Sequence, residues 1–220
     1  MNEQSQLDAI TARYNQLAGE SCCLSCGGAA DLTQAGPGET CLDLGSGRGT
    51  DALRLADRVG ADGFVWGIDA SPAMIQKAAA TALRLGVTNV SFLQSELSRI
   101  PVPSASVDCV ISNCTINHAP DKQAVWNEIF RVLKPGGRFV VSDIYALSPV
   151  PDAYASDPAR VAECWAGANT KDRYLKTIQT AGFTQVTLLE ESAPYSKGEI
   201  EVASVTLSGS KPGGGSRCYA

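Results

Sequence analysis

Residues able to do chemistry gather first between Thr40 and Thr50, where the apolar run Thr40-Cys41-Leu42-Asp43-Leu44 breaks into three alternating glycines, Gly45, Gly47 and Gly49. A helical pattern follows, so the stretch reads as a strand, a tight loop and a helix start, with main-chain atoms open to a ligand. The loop spells D-x-G-x-G-x-G, with Ser46 between the first two glycines and the acid Asp43 ahead of them. A pyrophosphate at a helix N-terminus gains nothing from a carboxylate beside it, whereas a cationic amino-acid ligand does. That favours a sulfonium cofactor with an ammonium group over NAD. A second apolar run, Phe64-Val65-Trp66-Gly67-Ile68, ends in Asp69, about twenty residues on, where a strand-tip acid can accept both ribose hydroxyls.

The second set of chemical residues is the cysteines, eight in all. Cys41 and Cys109 fall in expected strands and read as small buried hydrophobes. Cys22, Cys23 and Cys26 lie together in a Gly- and Ser-rich stretch, Cys114 follows an expected strand tip, Cys164 stands alone, and Cys218 sits near the last residue. Cys23-Leu24-Ser25-Cys26 is a CxxC, open to reading as a redox pair or half a zinc site. A redox pair normally opens a helix after a strand, and structural zinc wants a second ligand pair close by. His118, the only histidine, is a candidate base or an ordinary hydrogen-bonding residue. Trp126 and Trp165 read as packing residues, with Trp165 beside Cys164 a possible pocket wall.

The elements that position these residues follow from periodicity. Leu7, Ile10, Tyr14 and Leu17 recur at helical steps, which predicts an amphipathic helix from about Glu3 to Leu17 packed on the domain or over its pocket. Residues from Gly19 to Gly38 read as an irregular cysteine-bearing loop. Strands are expected at Thr40 to Leu44, Phe64 to Ile68, Val90 to Leu93, Val107 to Ser112 and after Pro135-Gly136-Gly137. Helices are expected at Thr50 to Val59, Pro72 to Leu85 and Lys122 to Leu133, the second opened by Ser71-Pro72 as N-cap and first-turn proline. Such alternation is the mark of an α/β, doubly wound, mostly parallel sheet, here seven-stranded. Two later helices, Ala159 to Ala166 and Asp172 to Ala181, precede runs Thr184 to Glu190 and Ile200 to Leu207, an antiparallel edge hairpin. The division is residues 1–38 as helix and loop of the same domain, 39–210 as the main domain, and 211–220 as a glycine-rich tail.

In such sheets ligands sit beyond the carboxyl ends of the strands. Those tips carry Asp43 with the glycines, Asp69-Ala70, Ser95-Glu96-Leu97 and Ser112-Asn113-Cys114. Glu96 is placed to accept from an adenine amino group with Leu97 and Met74 against the ring, or is a solvated loop acid.

At 220 residues and 44% hydrophobic, the chain suits one domain with a substantial core. A net charge of −5 and a pI near 4.9 argue against nucleic-acid or anionic-membrane partners. No apolar run approaches the ~20 residues that span a bilayer. The polar start, Met1-Asn2-Glu3-Gln4, is unlike a signal peptide, so a cytoplasmic protein acting on a small molecule is expected.

The loop, Asp69 and Ser71-Pro72 resemble the cofactor half of the class I S-adenosylmethionine-dependent methyltransferases. Ser112-Asn113-Cys114-Thr115-Ile116-Asn117, Pro120-Asp121-Lys122 and Arg131-Val132-Leu133-Lys134-Pro135-Gly136-Gly137 resemble, more specifically, the arsenite methyltransferases. Ala162-Glu163-Cys164-Trp165-Ala166-Gly167-Ala168 and Leu24-Ser25-Cys26-Gly27-Gly28-Ala29 are similar to that family's other cysteine motifs. The chain is most similar to short bacterial members, among them the arsenosugar-linked branch. The resemblance covers Tyr14 to Phe183. It implies S-adenosylmethionine as cofactor, S-adenosylhomocysteine as product, arsenite or its thiol conjugates as substrate, and Cys26, Cys114 and Cys164 as arsenic ligands. A thiol reductant, glutathione or thioredoxin, is implied as partner. The chain lacks the longer N-terminal extension and extra C-terminal domain of some members, which leaves the number of methyl groups open. Two rival readings stay open on the residues alone: a methyltransferase of a small organic thiol, amine or phenol with His118 as base, and a non-catalytic metalloid or zinc sensor.

Overall fold

The computed structural model of the chain describes residues 3–19 and 27–213. Cys22, Cys23, Cys26 and Cys218 lie outside them. Helix α1 (Glu3–Leu17) and a one-turn helix α2 (Ala29–Leu32) precede β1 (Thr40–Leu44), α3 (Thr50–Val59), β2 (Phe64–Asp69), α4 (Pro72–Leu85), β3 (Val90–Gln94) and β4 (Val107–Asn113). After them come α5 (Lys122–Val132), β5 (Leu133–Ala146), the short α6 (Asp152–Ala155) and α7 (Pro158–Val161), α8 (Lys171–Thr180), β6 (Thr184–Glu191), β7 (Tyr195–Lys197) and β8 (Ile200–Ser210).

The strands form one sheet in the order β3-β2-β1-β4-β5-β8-β6, and β7 pairs with β8 as an eighth strand. Neighbours from β3 to β5 are parallel, whereas β8 runs antiparallel to β5, β6 and β7. The closing hairpin is therefore built inward, with β8 inserted against β5 and β6 left at the edge. Successive residues of the central strands feed opposite cores. Leu42, Leu44, Val110 and Phe139 join Trp126, Ile129 and Ile178 from α5 and α8; Cys41, Cys109, Ile111 and Val140 join Ala52, Leu55 and Val59 of α3. Burial on both faces is why these strands read as unbroken apolar runs.

Local signals end the helices where they should. Ser71 accepts from the Met74 N–H at 3.1 Å, Pro72 takes the first turn, and Gly86 closes α4 at φ +70°. Two expectations change. Strand β5 already begins at Leu133, opposite Val107, and the Pro135-Gly136-Gly137 segment is a register shift inside it. The helix expected over Ala159 to Ala166 stops at Val161 and resumes only as a 3₁₀ turn, Trp165–Gly167, because Cys164 at φ +76° breaks it. Lys211, assigned to the tail by composition, exchanges backbone hydrogen bonds with Gly136 and Gly137.

Candidate active site

The tips of β1, β2 and β4 open on one cavity of about 420 Å³. Its floor is the glycine loop. The Gly45 and Ser46 N–H groups donate to the Ile68 carbonyl at 2.7 and 2.9 Å, and Gly45 sits at φ +79° with Thr115 so close that a Cβ would lie 2.2 Å from its Oγ1. Only glycine fits there. Asp69 closes the loop from the side, its Oδ2 accepting the Gly47 N–H at 2.9 Å and its Oδ1 the Ser71 N–H at 2.8 Å. Burial raises its carboxyl above the usual range. Asp43 lies beneath the loop, 3% exposed, pushed well up first by burial and then by Asp51 and Asp69. Acids gathered beneath and beside the loop favour a ligand that carries positive charge and hydroxyl donors.

The expected cofactor residues separate into two groups. Gly45, Gly47, Asp69, Ala70, Glu96, Leu97 and Asn113 line the cavity. Met74 does not: it is fully buried, so it packs as core instead of against a ligand ring. The Ser46 hydroxyl is also buried, near Gly67 and without a hydrogen-bond partner among the described residues, so Ser46 meets the loop through its backbone. Ser95 lies in a shallower pocket alongside, its hydroxyl donating to the Arg99 carbonyl at 2.6 Å.

Farther along the same cavity, Cys114 follows the end of β4 and lines the wall, and Cys164, buried, comes from the broken helix after α7. The Cys164 Sγ donates to the Cys114 carbonyl at 3.3 Å. Both residues have left-handed backbones, φ +53° and +76°. A non-glycine residue held there costs on the order of 1–3 kcal/mol and persists only where its surroundings force it. Here the surroundings are polar and buried. The Cys164 thiol also meets Asp143 Oδ1 at 3.7 Å, which accepts from Asn117 Nδ2 at 2.8 Å, while Tyr174 donates to Asp143 Oδ2 at 3.3 Å. Burial raises the Asp143 carboxyl to about 6. Cys26 lies outside the described residues, and among those described no group of three His, Cys, Asp or Glu side chains could hold a metal ion.

Helix α1 roofs the cavity with Gln4, Leu7, Ile10 and Tyr14. His118 fastens the roof. Its Nδ1 donates to the Val161 carbonyl at 3.0 Å, which leaves Nε2 to accept the Tyr14 hydroxyl at 2.9 Å, and its own carbonyl accepts from Gln6 at 2.7 Å. Burial lowers the ring to about 4. A neutral imidazole with both nitrogens committed is a clasp, not a base poised for a substrate proton. Trp165 is 4% exposed, stacked edge-on with Tyr154 and donating to Glu163, and it does not line the cavity.

Tyr14 and Asp143 were not singled out from the sequence. Tyr14 carried only a packing signal, its place in the helical stripe. Asp143 offered a stronger one, a carboxylate inside the apolar run Phe139-Val140-Val141-Ser142-Asp143-Ile144, since a buried acid needs partners.

Residues 35–182 match the family model described as a methyltransferase domain. The arsenite methyltransferase of Halobacterium salinarum is 44% identical over 163 residues, 74% of this chain and 42% of that protein. The arsenite methyltransferase of Mus musculus is 41% identical over 137 residues, 58% of this chain and 36% of that protein. The chain thus spans less than half the length of these curated relatives. The crystal structure of CrArsM, an arsenic(III) S-adenosylmethionine methyltransferase from Chlamydomonas reinhardtii, superposes with a TM-score of 0.77 at 31% identity, over 95% of this chain and 74% of that one.

Proposed function

The chain belongs to the arsenite methyltransferases of the methyltransferase-domain family, and from that premise we propose that it methylates trivalent arsenic held by Cys26, Cys114 and Cys164. The observation that carries the reading is that Cys114 lines the cavity that the glycine loop and Asp69 also line, with the buried Cys164 thiol bonded to its carbonyl and both backbones strained.

The loop suits S-adenosylmethionine by the chemistry of its donors and acceptors. Gly45 and Gly47 present backbone, Asp69 accepts hydroxyls, and Glu96 and Leu97 border the far end. When bound, this cofactor supplies an electrophilic methyl group and departs as S-adenosylhomocysteine. The protein's own part is capture and alignment. Three thiols exchange with the three hydroxyls of arsenous acid, releasing three waters, and leave a pyramidal arsenic with its lone pair free. Because that lone pair is the nucleophile, no proton has to be removed, and the site must supply orientation and exclude water. The α1 roof does the latter. A committed, neutral His118 fits this chemistry and not the organic-acceptor alternative.

Donating its lone pair to the methyl group takes arsenic from +3 to +5; a further thiolate then attacks one bound sulfur, which leaves as a disulfide while its bonding pair returns arsenic to the trivalent state, and an external thiol reductant, glutathione or thioredoxin, reduces that disulfide and renews the site. We place this chemistry in the cytoplasm, where thiols stay reduced, and no helix among the described residues is long and apolar enough to cross a membrane. Residues 1–38, 39–210 and 211–220 serve as helix and cysteine-bearing loop, catalytic body and tail of one domain.

The test incubates reduced protein with S-adenosylmethionine, arsenite and excess glutathione and separates the arsenic species by chromatography. Methylated arsenic is expected from wild type and His118→Gln but not from Cys114→Ser. Unchanged arsenite in a protein that still binds the cofactor sinks the metalloid assignment.

A further inference from the structure

Helix α1 is tied down at two edges of the cavity it roofs, and consecutive residues make the ties. The Tyr14 hydroxyl reaches His118 Nε2 at 2.9 Å. Asn15 reaches instead the start of α4, where its Oδ1 accepts the Ser71 hydroxyl at 2.7 Å and the Ala73 N–H at 3.3 Å. Ser71 is itself held by Asp69, whose Oδ1 accepts its N–H at 2.8 Å. Resting on the reading of Asp69 as the acceptor of the cofactor's hydroxyls, we propose that Asn15 is a positioning residue for S-adenosylmethionine: it ties the roof to the turn that carries Asp69, so that filling the cradle and closing the roof over it are one equilibrium.

The turn from Asp69 to Met74 has little slack. Ser71 is 1% exposed; its hydroxyl gives its single proton to Asn15 while its oxygen accepts the Met74 N–H at 3.1 Å. The first N–H groups of a helix have no partner within it. At α4, Ser71 takes that of Met74, and Asn15, 58 residues before Ala73, takes that of Ala73. The Asp69 carboxylate also holds the Gly47 N–H at 2.9 Å, so one side chain joins the glycine loop to the anchor of the roof. Leu7, Ile10 and Tyr14 line the cavity because α1 lies across it. A cofactor that touches them binds the closed roof more tightly than an open one, and by reciprocity whatever holds the roof closed tightens the cofactor.

A second tie between the same two helices is a built-in control. Lys77 Nζ donates to the Ala18 carbonyl, just past the end of α1. Lys77 grips from the body of α4, whereas Asn15 grips the turn that Asp69 holds. Both residues are exposed, so replacing either opens no core cavity.

The experiment measures S-adenosylhomocysteine affinity by calorimetry, and amide hydrogen exchange across α1 with and without that ligand, in the full chain. Asn15→Ala should weaken the ligand about three- to tenfold and lose the slowing of α1 exchange that the ligand brings to wild type. Asn15→Asp, which keeps the acceptor, and Lys77→Met should bind within about twofold of wild type and keep that slowing. Equal behaviour of Asn15→Ala and Lys77→Met overturns the proposal, as does α1 exchange that the ligand leaves unchanged in wild type. Asp69→Asn separates this proposal from the reading beneath it. If Asp69→Asn weakens the ligand while Asn15→Ala does not, only the tie fails. If Asp69→Asn binds as wild type does, the cofactor role of Asp69 fails and takes this proposal with it.

Discussion

Among the described residues two pairs of cysteines meet, and the contrast between them shows what makes a thiol available for chemistry. Cys41 and Cys109 are register partners on the neighbouring parallel strands β1 and β4, both with zero exposure. Their backbones are ordinary strand, and Cys109 is bonded to the Thr33 hydroxyl at 2.5 Å. The hydrogen bond to Cys109, and then burial, drive the Cys41 thiol far above its usual range. These two are small hydrophobes of the core. Cys114 and Cys164 come from the end of β4 and from a broken helix, with left-handed backbones, and Cys114 faces the cavity. Adjacency is common to both pairs; backbone strain and, at Cys114, access to the cavity are not.

The comparison is broken most directly by mutating each pair. Cys114→Ser or Cys164→Ser should cut arsenite methylation by on the order of 10²-fold or more. Cys41→Ala and Cys109→Ala should leave the product pattern unchanged and lower urea-unfolding stability by about 1–2 kcal/mol, as small core cavities do. Abolished methylation in a folded Cys109→Ala protein would contradict the division. Asp69→Asn sharpens it from the cofactor side. With one charged acceptor gone, cofactor affinity should drop by about 10- to 100-fold, while the arsenic–thiolate absorption on arsenite titration stays as in wild type. A matching loss of arsenic capture would mean that the two halves of the cavity are not separable.

The effect smallest at neutral pH concerns the His118 clasp beneath helix α1. Because burial depresses His118 to about 4 in the folded protein, the unfolded chain binds the proton more readily below its own value of about 6.5. Stability from this group is therefore complete above that value and is lost as pH falls toward 4. Asp143 has the opposite sign, since its raised carboxyl favours the folded state on acidification. Comparing wild type with His118→Gln cancels that shared term. Wild type should lose on the order of 2 kcal/mol relative to the variant between pH 7 and pH 5. Parallel stability curves would show that His118 is not held neutral by burial.

The sequence by itself determined the elements whose signals are local. The helical stripe from Leu7 to Leu17, the run into Gly45, the strand ending at Asp69 and the Ser71-Pro72 start of α4 stand where they were expected, because periodicity, caps and glycine turns act within a few residues. The cavity wall formed by Gly45, Gly47, Asp69 and Ala70 was legible for the same reason, and the family motifs singled out Cys114 and Cys164. Tertiary structure alone decided the rest. It inserted β8 between β5 and β6, broke the helix at Cys164 to bring its thiol to the Cys114 carbonyl, laid α1 over the cavity and converted His118 from a candidate base into its fastening. It also buried Met74 and the Ser46 hydroxyl away from the pocket. Each of these outcomes depends on partners tens of residues apart, such as Tyr14 with His118 or Asp143 with Cys164, and packing among distant segments leaves no period or cap in the chain to be read.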